Sequence, residues 1–233
     1  MSSEQHYNAV ALTAPVQCKT LRRSHNACKL FILHKALFLC RRQLHSCVCL
    51  DLACGRGGDL NKLVGCQSYI GVDTALLALS ELKRRAAEIG MHVAVHHQDA
   101  SMPVRPRVSA DIVLCNFALH YFCDSKQHCQ AFVASVANQL KPGGVFCGTY
   151  EKRVGNVQWG QPYHAKVGDC VNAVEWLVPW SDIIELCYQQ HMALVYHQPY
   201  HMIHADADDS IIGFIIQKAQ EQCSGTTPSC SGT

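Results

Sequence analysis

The chain has 233 residues, a formal net charge of +2 and 48% hydrophobic against 16% charged residues. That is enough for one α/β domain with a sizeable core and too little for two ordinary domains with linkers. The run Leu30 to Cys40 is broken by His34 and Lys35, far short of a bilayer span, and the first residues carry no signal-peptide pattern, so an intracellular, reducing setting without a membrane is expected.

Residues 1–20 show no clear period and are expected to be a flexible N-terminus, ahead of one folded domain over 21–221. From Asn26 to Leu44, Leu30, Leu33, Leu37 and Leu44 recur at helical spacing, which predicts one amphipathic helix. Cys47 to Leu52 reads as a short buried strand, and Leu60 to Val64 as the opening of a helix. Tyr69 to Val72 is a second strand, and Leu76 to Ile89 a helix with Leu79, Leu82 and Ala86 on one face, stopped by Gly90. Val93 to His97 and Asp111 to Cys115 are further strands, and Phe132 to Leu140 a helix ended by Pro142-Gly143-Gly144. Val145 to Tyr150 is a fifth strand.

Residues 151–175, with Gly, Asn, Trp and Pro, break the pattern and are expected to form an insertion over a crevice. Ser181 is expected to cap a helix reaching Gln190; Leu194 to Tyr196 is a strand, Ile211 to Ile216 a last one returning antiparallel, and 222–233 a disordered tail. Strand and helix alternate. This predicts an α/β, Rossmann-like fold, a mostly parallel sheet with helices on both faces and a ligand crevice at the strands' carboxyl ends.

Fifteen cysteines invite a disulfide or zinc reading. Their number is odd, no C-x-x-C pair occurs, and Cys47, Cys49, Cys54, Cys115 and Cys147 sit in apolar strand-like runs, where free thiols pack as small hydrophobes. The histidines form no H-x-x-x-H pattern on a helix, so no metal site is expected.

The most informative stretch is Leu50-Asp51-Leu52-Ala53-Cys54-Gly55-Arg56-Gly57-Gly58-Asp59, a glycine-rich turn after the first strand. Glycines let the backbone approach a ligand closely, and the alternative is a tight turn with no ligand. Asp59 beside the loop would repel a pyrophosphate, yet it suits a ligand carrying an ammonium and a sulfonium, which describes S-adenosylmethionine. Asp73 ends the second strand, where a carboxylate can accept both ribose hydroxyls; the competing role is to cap the next helix. Asp99 suits an adenine amino group equally with a turn before Ala100-Ser101. Asn116 leads into Phe117-Ala118-Leu119-His120-Tyr121, a mixture suited to stacking on a base and bonding its edge, or to a packed helix start. Lys19, Arg22, Arg23, Lys29, Lys35, Arg41 and Arg42 fall within residues 5–50, which hold no Asp or Glu. This basic face suits a short anionic ligand such as a triphosphate, or is a solvated helix face.

These residues carry a resemblance. The chain is similar to the mRNA cap guanine-N7 methyltransferase family: D-L-G-C-G-[KR]-G-G-D-L-x-K is matched by Asp51 to Lys62 and [QN]-F-x-x-H-Y by Asn116 to Tyr121. Leu140 to Thr149 matches L-x-P-G-G-x-F-x-G-T, Glu175 to Val178 matches E-[FW]-L-V, and Asn26 to Lys29 the upstream N-x-x-K. The resemblance implies cofactor contacts at Lys29, Ala53, Gly55, Asp73, Asp99, Asn116 and Tyr121, and cap or triphosphate contacts at Asn26, Arg56, Lys62, Arg85, His120 and Glu175. His120 also reads as a core histidine. Arg and Lys suit phosphate oxygens, and a carboxylate suits the guanine N1–H and amino group.

The implied reaction is transfer of the sulfonium methyl to N7 of the guanine cap of 5′-capped mRNA. N7 already has an in-plane lone pair, so no catalytic base is assigned and the rate comes from proximity and orientation. The resemblance also implies a nuclear location, cytoplasmic for a viral protein, with RNA triphosphatase, guanylyltransferase and the transcription machinery as partners. A methyltransferase of small metabolites and a cap-binding subunit without turnover are the alternatives. Three departures stand out: Ala53 replaces the usual first glycine, Ala100 a frequent Ser, and Asn116 the more common Gln. A C-terminal Tyr of the family is missing, with Ile211 and Ile212 in its region and Trp159 and Tyr163 as candidates to replace its contact.

Overall fold

The computed structural model describes residues 19–105, 107–153, 155, 157–167, 171–204 and 209–220. The expected N-terminal flexibility up to residue 18 and the tail from Gln222 lie outside these residues.

Among the described residues, nine strands alternate with four α-helices: α1 (Lys19–Leu39), β1 (Val48–Leu52), β2 (Ser68–Asp73), α2 (Leu76–Glu88), β3 (Val93–His97), β4 (Ala110–Asn116), α3 (Lys126–Gln139), β5 (Leu140–Glu151), β6 (Pro162–Val167), β7 (Val171–Trp176), α4 (Trp180–Gln189), β8 (Met192–Pro199) and β9 (Ile211–Lys218). Seven form one sheet in the order β3-β2-β1-β4-β5-β9-β8. Strands β1 to β5 pair in parallel, whereas β9 runs antiparallel to both β5 and β8. The chain order reverses between β1 and β4, which opens a crevice at their carboxyl ends.

Alternation along the central strands fills two cores. Cys49, Ile112, Leu114, Val145, Cys147 and Ile215 face α1 and α2, where they meet Ile32, Leu33, Leu79 and Leu82. Leu50, Val113, Cys115, Phe146, Phe214 and Ile216 face α3 and α4, against Phe132, Val136, Ile183 and Leu186. The result is helix, sheet, helix. Cysteines within the described residues are free, most of them buried in these layers. Gly148 is forced on the sequence, because a Cβ there would stand 1.8 Å from the Cys115 carbonyl oxygen.

Several boundaries differ from expectation. Helix α1 ends at Leu39, not Leu44, in a Schellman turn with Arg41 at φ 53°, where Arg42 N–H bonds the Leu37 carbonyl and Arg41 N–H that of Phe38. With arginine at the left-handed position that glycine normally takes, the stop carries no sequence signal. Leu60 opens only a single 3₁₀ turn, Leu60–Lys62, because the chain turns at Gly65 (φ 88°) to enter β2. Helix α3 starts at Lys126, with Ser125 Oγ accepting from His128 N–H at 3.2 Å, so its polar first turn hid the start. Helix α4 starts after Pro179, which places Ser181 inside the helix instead of at its cap. Residues 151–175 contain strand β6 and most of β7, a hairpin whose buried positions are held by Ala165, Ala173 and Glu175. Small and acidic residues there gave no strand-like apolar alternation to read.

Candidate active site

The turn after β1 is built on an unusual backbone. Ala53 sits at φ 56°, Gly55 at 51° and Gly57 at 69°, and Gly57 N–H closes onto the Cys54 carbonyl. The left-handed region suits glycine but costs Ala53 about 1 kcal/mol. Asp73, at the end of β2, fastens this turn: its Oδ2 accepts from Gly55 N–H at 2.7 Å and its Oδ1 from Ala75 N–H at 2.8 Å. Each oxygen keeps a lone pair for a ligand. Burial raises the Asp73 carboxyl above its ordinary value, opposed by the bonds from Ala75 and Gly55.

A cleft of about 640 Å³ opens above the turn. Lys29, Ala53, Gly55, Asp73, Asp99, Asn116 and Tyr121 all line it, although α1, β2, β4, a 3₁₀ turn at Leu119–Phe122 and the loops after β1 and β3 supply them. Asp99 fixes the far wall, with Oδ1 accepting from Ser101 N–H at 2.7 Å. Phe117, from the stretch read as suited to stacking, lines it too, and so do Phe122, Asp124, His128, Val174 and Trp176, which the sequence reading missed. Val174 and Trp176 arrive on β7, whose register with the cleft no sequence pattern announces. Phe117 stands at φ 55°, with its N–H on the Thr149 carbonyl (2.9 Å) and its ring 5.0 Å from His25 and 5.2 Å from the Lys29 ammonium.

Asp59 has a different place from the one its neighbourhood suggested. It does not line the cleft. The residue is 7% exposed, and its carboxylate takes Lys29 at 3.1 Å, Lys62 at 2.7 Å and Asn116 Nδ2 at 2.9 Å. Burial pushes its carboxyl up, but Lys29 and Lys62 outweigh it and hold the group below its ordinary value. With three donors already placed, Asp59 is a structural hub and not a receptor for a ligand ammonium. It ties Lys29, a cofactor candidate, to Lys62, a cap candidate. Lys62 also donates to Asn26 Oδ1 at 2.8 Å, and Arg85 reaches the Arg56 carbonyl at 2.8 Å, so Asn26, Lys62, Arg56 and Arg85 fall into two pairs.

His120 and Glu175 form a third group. His120 Nε2 lies 3.3 Å from Glu175 Oε1, where the Tyr121 hydroxyl also donates at 3.4 Å, and the Tyr163 hydroxyl donates to Oε2 at 2.6 Å. Burial raises the Glu175 carboxyl, but His120 and the two hydroxyls bring it below its ordinary value. Neither His120 nor Glu175 lines the cleft; both stand one layer behind Tyr121, Val174 and Trp176. Of the two residues expected to replace the missing tyrosine, Trp159 is committed elsewhere, donating Nε1–H to Asp182 Oδ2 at 2.8 Å. Tyr163 is at the site. Ile211 and Ile212 are buried in the sheet.

The donor set suits a nucleoside joined to an amino acid: acceptors at Asp73 and Asp99, an ammonium at Lys29, and no pyrophosphate-binding helix start after the loop. Among the described residues no group of three or more His, Cys, Asp or Glu is placed to hold a metal ion, and no helix is long and apolar enough to cross a membrane.

A family model described as the mRNA (guanine-N(7))-methyltransferase domain matches residues 3–154. The mRNA cap guanine-N(7) methyltransferase of Caenorhabditis briggsae is 25% identical over 224 residues, covering 76% of this chain and 59% of that protein. That of Cryptococcus neoformans is 27% identical over 203 residues, covering 69% and 29%. The Arabidopsis thaliana protein, mRNA cap guanine-N(7) methyltransferase 1, is 27% identical over 201 residues, covering 63% and 53%. The chain thus spans less than two thirds of the length of these curated relatives. Among solved structures, an S-adenosylmethionine-dependent methyltransferase from Methanosarcina mazei has a TM-score of 0.63 at 16% identity, covering 82% of this chain and 98% of its own. Magnesium protoporphyrin IX methyltransferase from Synechocystis, with bound S-adenosylmethionine, has a TM-score of 0.63 at 10% identity, covering 92% and 90%. At these identities the likeness is one of fold.

Proposed function

Since the chain belongs to the mRNA (guanine-N(7))-methyltransferase domain family, we propose that it methylates N7 of the guanine cap of 5′-capped RNA, using S-adenosylmethionine. The observation that carries this reading is the contact of Tyr121, a wall of the cleft, with Glu175, which stands behind that wall beside His120. One aromatic side chain thereby joins the cofactor candidates to the guanine candidates.

S-adenosylmethionine, when bound, supplies an electrophilic methyl on a sulfonium. Asp73 holds the ribose hydroxyls through its two open lone pairs, Asp99 accepts from the adenine amino group, and Lys29 neutralises the carboxylate of the amino-acid end. Asn116, held by its amide on Asp59, borders the reacting end. Arg56, Arg85 and Lys62 take the triphosphate, with Asn26 steadying Lys62. Glu175, held by the Tyr163 hydroxyl on Oε2, accepts from guanine N1–H and the amino group through the lone pairs this bond leaves open, and His120 packs beside it. No side chain moves a proton, because the nucleophilic nitrogen has a free lone pair; the protein supplies alignment and exclusion of water.

Capped RNA, and through it the capping triphosphatase and guanylyltransferase, are the partners this reading assigns, and the nucleus is its location. The test is transfer of labelled methyl to GpppG-RNA, with the product digested to identify 7-methylguanosine. Transfer to GpppG-RNA and not to ApppG-RNA is the expected result. Binding of S-adenosylhomocysteine without transfer to any capped RNA overturns the cap reading and leaves a methyltransferase of another substrate.

A further inference from the structure

His128, in the first turn of α3, lines the same cleft as Asp99, Phe122 and Asp124, and the reaction proposed above gives it no task. Its Nδ1 lies 2.8 Å from Asp124 Oδ1. An ionised carboxylate has no proton to give, so Nδ1 carries the hydrogen, and in the neutral ring Nε2 is then a bare lone pair. That nitrogen stands 3.7 Å from Asp99 Oδ2, beyond hydrogen-bond reach. The other Asp99 oxygen is occupied by Ser101 N–H. The ring is held in place by Phe122, whose centroid is 5.7 Å away and edge-on, and Phe122 in turn stacks on Phe132 at 3.9 Å. Two acceptors therefore stand side by side on the cleft wall with no proton between them.

We infer that Asp99 Oδ2 and His128 Nε2 form a two-acceptor clamp for the exocyclic amino group of adenine, which makes His128 a specificity-determining residue for the cofactor. This rests on the cofactor reading proposed above. An amino group brings two hydrogens, one for each acceptor, whereas a carbonyl oxygen at the same purine position turns lone pairs toward both and is rejected. The charged groups facing the ring are Asp124, just ahead of its own helix, and Asp99, from the loop after β3.

The test is calorimetric binding of S-adenosylhomocysteine and of its inosine counterpart, S-inosylhomocysteine, at pH 8 to the wild-type chain, His128→Ala and His128→Gln. The wild type should prefer the adenine compound by about 100-fold. His128→Ala should prefer it by only about 10-fold, and His128→Gln, whose amide oxygen is an acceptor, should keep the larger ratio. An unchanged preference in His128→Ala overturns the clamp alone. Absence of S-adenosylhomocysteine binding to the wild type overturns the cofactor reading and the clamp with it.

Discussion

Tyr163 and Glu175 stand opposite each other in the β6–β7 ladder, and the tyrosine hydroxyl donates to Glu175 Oε2 at 2.6 Å. The hairpin thus presets the acid proposed to read guanine. Glu175→Gln keeps the size but turns one acceptor oxygen into a donor facing donors. It should lower 7-methyl transfer to GpppG-RNA by about 10²-fold, on the scale of roughly 2–4 kcal/mol for a buried set of charged hydrogen bonds. Tyr163→Phe should raise the cap KM several-fold and leave S-adenosylhomocysteine affinity unchanged. Normal turnover by Glu175→Gln removes it from guanine reading.

Asp73→Ala should weaken S-adenosylhomocysteine binding by about 1–3 kcal/mol, because two ribose hydroxyls lose their acceptor. The same change frees Gly55 N–H and Ala75 N–H, so the melting temperature should fall as well. Calorimetry and thermal unfolding separate the two effects, and full cofactor affinity in the variant would exclude Asp73 from the site.

Ala53→Gly should stabilise the chain. At φ 56° alanine is strained, and relief of about 1 kcal/mol exceeds the added flexibility of glycine in the unfolded chain. Urea unfolding of the two proteins under the same conditions decides it; a less stable glycine variant means that the alanine methyl packs usefully in the turn.

Arg56→Ala and Arg85→Ala should raise the KM for capped RNA and flatten its dependence on salt, because each phosphate contact releases a counterion. Lys62→Ala should behave differently. Its ammonium is shared by Asp59 and Asn26, so the loss should appear in stability as well as in KM. An unaltered salt slope in both arginine variants would place the triphosphate elsewhere.

Two buried carboxyls should give opposite dependences of stability on pH. Burial pushes Asp51 up to about 7, and the charge of Asp59 adds to this against the Tyr69 hydroxyl and Lys29. Between the ordinary carboxyl range and pH 7 the folded chain keeps a proton that the unfolded chain has lost, so this contribution falls as pH rises across that window. Asp51→Asn, with its carbonyl still able to accept from Tyr69 (2.8 Å in the native pair), should therefore help stability most at pH 8. Asp59, held below its ordinary value, contributes fully above that value and loses its contribution as pH falls through the lowered one. Asp59→Asn should cost about 3–5 kcal/mol at neutral pH, since it leaves Lys29 and Lys62 buried without their counter-charge. Urea midpoints at pH 5.5 and 8 check Asp51, and midpoints followed from neutral pH down through and below the ordinary carboxyl value check Asp59.

The sequence by itself determined the alternation of strands and helices, the antiparallel return of β9 and the glycine turn after β1, because these depend on local periodicity and backbone freedom. That the cofactor candidates other than Lys29 share one crevice was also legible: they fall at carboxyl ends of strands or in the loops that follow, and an α/β sheet brings such positions together whatever the loops do. Only the tertiary structure decided the rest. The stop of α1 at Arg41 depends on a left-handed residue that carries no glycine signature. The assignment of Asp59 depends on Lys29 being delivered by α1, 30 residues away along the chain, since a carboxylate beside a loop reads the same from sequence with or without a buried cation. The role of Tyr163 depends on cross-strand register, and the pairing of His128 with Asp99 on the packing of α3 under the loop after β3. Long-range charge pairing and register are set by which surfaces meet, and spacing along the chain does not encode them.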